Sequence, residues 1–348
     1  MKKFHTLPLA VLLLIIISGT TAHAQQNKAL FYMDKINKEL NAIMVDTWDY
    51  TSEVAHGKSA RMVEIKRKDL VRTSKMAMER VSKMQPYNGS SQYRDSVVSF
   101  LNINYLVLKE DYEKILNMEE IAEQSYDKME AYLLAQELAD AKLDSASERM
   151  EEQERIFAAS NHINLIENQD KVAKKLEKAG AVMKYYHQVY LIFFKCYKQE
   201  AYLLDAMIKD DINAMEQNKN ALDEVSVKSL EKLKTIPPYK NDKNLTNACK
   251  NSLDFYHAEA SVKMETIIDF YMQKEKFMKI KKSLDSKPQS TRSREDVDQY
   301  NSALAEYNPY LSRFNKVNNE VNRDRSRILD DWNKTVKNFL DKHVPRYK

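Results

Sequence analysis

Glycine is almost missing from this chain: there are four in 348 residues, where the usual frequency of about 7% would give roughly two dozen. One of them, Gly19, lies in the opening segment, so three serve everything else. Tight strand turns, phosphate-cradling loops and dinucleotide-binding turns all need glycine where the backbone takes positive φ or approaches a ligand closely. The scarcity excludes such elements as the organising features of the fold. Prolines number seven and cysteines two, too few thiols for a cysteine-cluster metal site. An excess of one charge is also missing. Lys plus Arg total 55 against 51 Asp plus Glu, a net +4, far from the basic surplus with which a nucleic-acid binder displaces counterions. What is present favours helix: 30% charged and 43% hydrophobic residues, with 16 methionines and 20 tyrosines. The expected fold is all-α, an elongated antiparallel bundle of long coiled-coil-like helices.

The first 24 residues read as a secretory leader. Lys2 and Lys3 open it, Leu9–Ile17 is an unbroken apolar run, and Ala22-His23-Ala24 has the small-x-small form of a cleavage site. Nine apolar residues are too few to span a bilayer of about 30 Å, and no cysteine stands near the cleavage point to take a lipid. The chain is therefore expected to be exported to the periplasm or cell surface and cleaved near Ala24. No transmembrane span is expected in the mature chain, although peripheral membrane contact stays open. Losing Lys2 and Lys3 leaves the mature chain at net +2.

The few breakers mark where helical hairpins turn. Gly57 ends a first helix, and a second carries Val63, Leu70, Ala77 and Met84 at seven-residue spacing, an apolar seam. Pro86-Tyr87-Asn88-Gly89 closes that helix. From Ser90 to Ala179 there is neither glycine nor proline. Over this stretch Val98, Leu101, Tyr105, Leu108, Tyr112 and Ile115 step by threes and fours, with interruptions expected at Asn117 and at Ser160–His162. Further on, a disturbance is expected at Asn308-Pro309. The turns also repeat. Glu79–Tyr87 (ERVSKMQPY) and Glu231–Tyr239 (EKLKTIPPY) align at an offset of 152, and nine identities fall in that register between residues 70 and 123. An internal duplication is expected, with residues 25–168 forming an N-terminal helical half and 169–348 a C-terminal half.

Charge is segregated along the chain. Lys58–Lys83 holds nine basic and three acidic residues, Glu110–Glu154 fifteen acidic and four basic, and Lys274–Arg294 eight basic and two acidic. Such stretches are expected as solvated helix faces whose complementarity orders the helices within the bundle.

Candidate sites are few. The turn at Gly57 gathers His56, Lys58, Arg61, Lys66 and Arg67 near a helix start, with Trp48 upstream as an apolar wall. Cations at a helix N-terminus suit an anion or an acidic partner. His56-Gly57-Lys58-Ser59 is not a phosphate loop, because the required earlier glycine is Ser52. Tyr185, Tyr186, Tyr190 and Phe194 form an aromatic stripe that suits either packed core or an interhelical cavity. Glu53 and His56 have Glu-x-x-His spacing, and Asp254 with His257 is a looser analogue. A carboxylate-bridged metal pair needs more inward ligands than these, so no metal or other cofactor is expected. Cys196 and Cys249 leave two readings open, a disulfide in an oxidising compartment or a pair of buried thiols. No catalytic residue is nominated, since no nucleophile elbow, His-Glu-x-x-His or Cys/His signature occurs.

Val54-Ala-His-Gly-Lys-Ser-Ala-Arg61, Tyr93-Arg-Asp-Ser-Val-Val98, Glu110-Asp-Tyr112 with Asn117–Tyr126, and Tyr190–Glu200 together resemble motifs of an uncharacterised all-helical bacterial surface-protein family first named from spirochaete surface proteins. The resemblance covers nearly the whole mature chain and implies export and an all-helical fold. It brings no activity, ligand or site residue with it.

The expected function is that of a non-enzymatic exported interaction module with an envelope or surface protein as partner. The alternative is a carrier of a small or anionic ligand, using the aromatic stripe or the basic turn. A helical metalloprotein ranks last.

Overall fold

The computed structural model describes residues 14–15, 23–56, 59–166 and 171–346. Nearly all of the leader, Gly57, Lys58 and the expected boundary at 168/169 lie outside the described residues. The protein is an all-α helical bundle. Its helices are α1 (His23–Ala55), α2 (Ala60–Ser82), α3 (Gln92–Leu106), α4 (Tyr112–Ala122), α5 (Tyr126–Ser160), α6 (Lys171–Ile208), α7 (Ile212–Lys234), α8 (Asn244–Ala258), α9 (Met264–Asp285) and α10 (Arg294–His343). A two-residue antiparallel ladder pairs Leu14–Ile15 with Leu165–Ile166. No helix among the described residues is long and apolar enough to cross a membrane.

Local chemistry sets the helix starts. Ser59, Ser125 and Asp211 cap α2, α5 and α7, their side chains accepting from the backbone N–H three residues on, which satisfies one of the orphan donors of each first turn. The cap at Ser125 explains one difference from expectation: the chain breaks between Glu123 and Ser125, not at Asn117. A second difference is at Pro309, which sits inside a continuous α10.

The offset of 152 recurs throughout the backbone. Helices α2, α3 and α4 begin at 60, 92 and 112, and α7, α8 and α9 begin at 212, 244 and 264. One wide π-helical turn, Val107–Asp111, joins α3 to α4, and another, Glu259–Lys263, joins α8 to α9. The turns after the prolines match as well, with bridges Tyr87–Ser90 and Tyr239–Asp242. Both central residues of each have positive φ: Asn88 and Gly89 at 50° and 80°, Lys240 and Asn241 at 47° and 66°. The wide turn also shifts the buried face. Asn104, Leu108 and Tyr112 are buried at successive four-residue steps, while the expected Tyr105 is only half-buried.

The chain forms two compact units. The first comprises Met1–His187 with Lys337–Lys348, and the second comprises Gln188–Val336. This differs from halves divided at 168/169. α6 runs unbroken through Lys171–Ile208, so its first half serves one unit and its second half the other. The end of α10 belongs to the first unit, where Phe339 lies 5.8 Å from Tyr185, ring to ring. The core of the first unit is built on Met33, Trp48, Tyr50, Tyr112 and Tyr132. In the second unit Phe193 stacks on Trp332 at 4.2 Å and Phe270 on Phe314 at 4.2 Å.

Candidate functional site

The basic turn is less available than its sequence suggests. Trp48 is fully buried and lies under Lys175, whose Nζ is 5.3 Å from the indole ring; it is a core residue and not an open wall. Lys66 donates to Asp49 at 2.6 Å, a bond that raises its pKa. Arg67 grips Glu64 through Nε and Nη2 at 2.8 and 2.9 Å, and its Nη1 donates to the Leu108 carbonyl at 3.1 Å. That carbonyl belongs to the first wide turn, so Arg67 serves a backbone irregularity. His56 bonds Asp341 at 3.2 Å through Nδ1 and the Pro345 carbonyl at 2.9 Å through Nε2. Burial alone would raise the Asp341 carboxyl, but bonds from Lys337, His56 and Arg346 override it and hold the carboxyl at about 2. Arg61 is exposed. Three of the nominated side chains, Lys66, Arg67 and His56, are thus engaged within the first unit.

Most of the aromatic stripe is interior, and Tyr185 is half-buried. Tyr186, Tyr190 and Phe194 are buried, and Tyr190 stacks on Phe194 at 5.6 Å. Burial pushes the Tyr186 phenol well up. The disulfide left open by the sequence is not formed: Cys196 and Cys249 are both free, buried thiols. Each has its own neighbour, Cys196 donating to Ser229 Oγ at 3.4 Å and Cys249 to the Val189 carbonyl at 3.9 Å. Burial raises both thiols, and for Cys249 the nearby Cys196 adds to the effect. Such thiols are poor nucleophiles. Among the described residues no group of three or more His, Cys, Asp or Glu side chains is placed to hold a metal ion. His257, the partner of Asp254 in the looser pair, instead bonds Asp223 at 2.7 Å.

Two features of the second unit were not evident from local sequence. The first is a buried ionic cluster. Arg325 of α10 donates to Glu200 of α6 and to Glu259 of the second wide turn, each at 2.6 Å. Both glutamates are 2% exposed. Burial and the charge of Glu200 push the Glu259 carboxyl up, and the charge and hydrogen bond of Arg325 oppose them. The three partners lie 59 and 66 residues apart along the chain, and no local spacing announces them.

The second feature is a groove of about 610 Å³ between the start of α7 and the C-terminal half of α9. Ile212, Tyr271 and Met278 give it apolar walls, and Lys274, Lys279, Lys281 and Lys282 form its rim. Lys274 is held by Asp210 at 2.7 Å and Lys279 by Glu275 at 2.6 Å. Lys281 and Lys282 make no ion pair among the described residues, so the rim, which also carries Asp210, Glu275 and Asp285 against the four lysines, keeps an excess of one positive charge. Ile208, two residues before Asp210, is 83% exposed. Tyr271, Lys274, Met278, Lys281 and Asp285 step by threes and fours, which places them on one helix face. That spacing was the available signal, hidden by reading Lys274–Arg294 as a solvated charge run.

Among the described residues no ion pair joins the charge stretches to one another, although Glu113 acts through its charge on Arg67. Cations of Lys58–Lys83 reach acids of α1, Lys66 to Asp49 and Arg80 to Glu39, and Lys142 pairs with Asp111 inside the acidic stretch itself. In comparisons with known proteins, no family model, curated protein or solved structure matches the chain.

Proposed function

We propose that this chain is a non-enzymatic exported interaction module, cleaved near Ala24 and working in the periplasm or at the cell surface, that takes an acidic amphipathic segment of a partner in the α7–α9 groove. Its place in the helical surface-protein family first named from spirochaetes belongs to the same proposal. The observation that carries the reading is the groove itself: apolar walls beneath two lysines, Lys281 and Lys282, that make no ion pair among the described residues. An amphipathic helix seated in such a groove buries its apolar side while its acids meet the rim.

The test uses a fluorescent synthetic helix with a leucine face and a glutamate face, unrelated in sequence to this chain. Its anisotropy should rise saturably with the protein at low salt. Binding should weaken at least about tenfold with Lys281→Glu/Lys282→Glu, as expected when a rim field is reversed. Absence of binding, or equal binding to the variant, removes the reading.

The volume of the groove favours a second reading. At about 610 Å³ it is within the range of roughly 300–1,000 Å³ typical of small-molecule sites, and an amphipathic anion would satisfy the same walls and rim. Native mass spectrometry retaining one small molecule on the wild type, and none on the double variant, would select this reading over a protein partner.

A further inference from the structure

The acidic counterpart of the groove is present on this same chain. Helix α5 exposes Leu134 and Leu138, at 53% and 57%, on the face that also carries Glu137, Asp144 and Glu148, all exposed. None of these three acids has an ion pair among the described residues. Burial, and then the negative charge of Glu148, hold the Asp144 carboxyl above its ordinary value. The spacing matches the groove as well. Glu137 and Asp144 are seven residues apart, as are Lys281 and Lys274, the latter shared with Asp210, which is two helical turns or about 10 Å in each case. On the groove side Met278 is 48% exposed, an apolar surface opposite the two leucines.

We infer that the partner of the groove is a second copy of this chain, whose α5 ridge at Leu134, Glu137, Leu138 and Asp144 seats between the lysines of α9. This rests on the reading of the groove as an acidic-segment site. Every copy carries both faces, so a closed pair using both contacts and a longer row using one per neighbour are equivalent outcomes.

The experiment is sedimentation velocity of the full chain over a concentration series. It is run at about 20 mM and about 0.5 M salt, where the screening length falls from roughly 20 Å to about 4 Å. The weight-average mass should exceed that of one copy and rise with concentration at low salt, and return to one copy at high salt. Lys281→Glu/Lys282→Glu, which reverses the groove, and Glu137→Lys/Asp144→Lys, which reverses the ridge, should each weaken self-association at least about tenfold. Mixed in equal amounts, the two variants present complementary faces again and should associate. Because misfolded variants would not regain association on mixing, that result separates a lost contact from a lost fold. A wild type that stays a single copy at every concentration, variants that associate as the wild type does, or a mixture that fails to associate each overturns the inference. If the synthetic helix still binds the groove of a chain that stays single, only the second-copy inference falls and the acidic-segment reading stands. If the helix does not bind either, both fall.

Discussion

The two units share a backbone plan and fill it with opposite chemistry. In register, Trp48 of the first unit corresponds to Glu200 of the second, Val107 to Glu259, and Asn104 to Tyr256. The first unit places an indole and a valine where the second places two carboxylates bound by Arg325. The first unit has its own polar contact one turn away, where Ser74 donates to Asn104 at 2.9 Å between α2 and α3. At the matching place in the second unit, Ser226 turns back to the Leu222 carbonyl of its own helix. The helix boundaries and wide turns of the plan therefore tolerate an apolar or an ionic interior at the same positions. The difference also supplies a measurement: the only two tryptophans, Trp48 and Trp332, are buried one in each unit, so single-tryptophan variants report on each unit separately.

The largest effect is expected from Arg325→Ala. Leaving two buried glutamates without their cation should cost about 3–5 kcal/mol, read as a lower denaturation midpoint for Trp332 fluorescence. Replacing the whole cluster, with Glu200→Leu, Glu259→Val and Arg325→Met, copies the apolar solution of the first unit and should restore or exceed wild-type stability. A triple variant as unstable as Arg325→Ala would show that the plan does not accept both chemistries.

The next effect concerns Glu154 of the first unit. It is 2% exposed, its Oε1 has no hydrogen-bond partner among the described residues, and burial followed by the charge of Glu151 raises its carboxyl to about 7. A carboxyl raised in the folded state binds its proton more tightly there than when unfolded. Stability at this site is therefore full below about pH 4.5 and declines as pH climbs towards 7, by up to about 3 kcal/mol. Glu154→Gln should remove that slope from the Trp48 transition and raise the midpoint at pH 8. An unchanged slope would relocate the titration to another group.

Ser74→Ala comes next, leaving Asn104 buried without its partner at a cost of about 1–3 kcal/mol. Ser74→Ala with Asn104→Leu should recover most of the loss, and no recovery would mean that the pair does more than satisfy its own atoms. The smallest effect belongs to the turns. Gly89 has room for a Cβ but holds φ at 80°, so Gly89→Ala should cost about 1 kcal/mol through the backbone alone. Grafting Asn-Gly onto the second turn, as Lys240→Asn/Asn241→Gly, should raise the Trp332 midpoint by less than about 1 kcal/mol. A loss there would mean that the two turns are less alike than their angles indicate.

Much of this architecture was legible in the sequence, because glycine and proline are few and most of the described ones mark turns, Gly180 and Pro309 inside α6 and α10 being exceptions. Pro86-Tyr87 and Pro237-Pro238-Tyr239 disclosed the repeated hairpin, and the α2 seam at Leu70 and Ala77 is buried as its spacing required. The wide turns were not legible. VLKED and EASVK share no residue in register, and an extra residue in a helical turn leaves no compositional trace. The Glu200–Glu259–Arg325 cluster was hidden for another reason: its members meet only through the tertiary fold. At the basic turn, grouping in sequence does not disclose that Asp49, Glu64 and Asp341 engage Lys66, Arg67 and His56 from other turns and helices. The groove failed in the opposite way, its lysines having been noted and assigned to plain solvent.

The return of α10 to the first unit has a consequence in time. Phe339, Leu340 and Val344 are buried in that unit, yet they are synthesised 150 or more residues after His187, with the whole second unit in between. At about 5–20 residues per second the ribosome needs roughly 8–30 s to cover that distance. Through that interval the first unit lacks part of its interior, and Tyr185 is without the ring of Phe339.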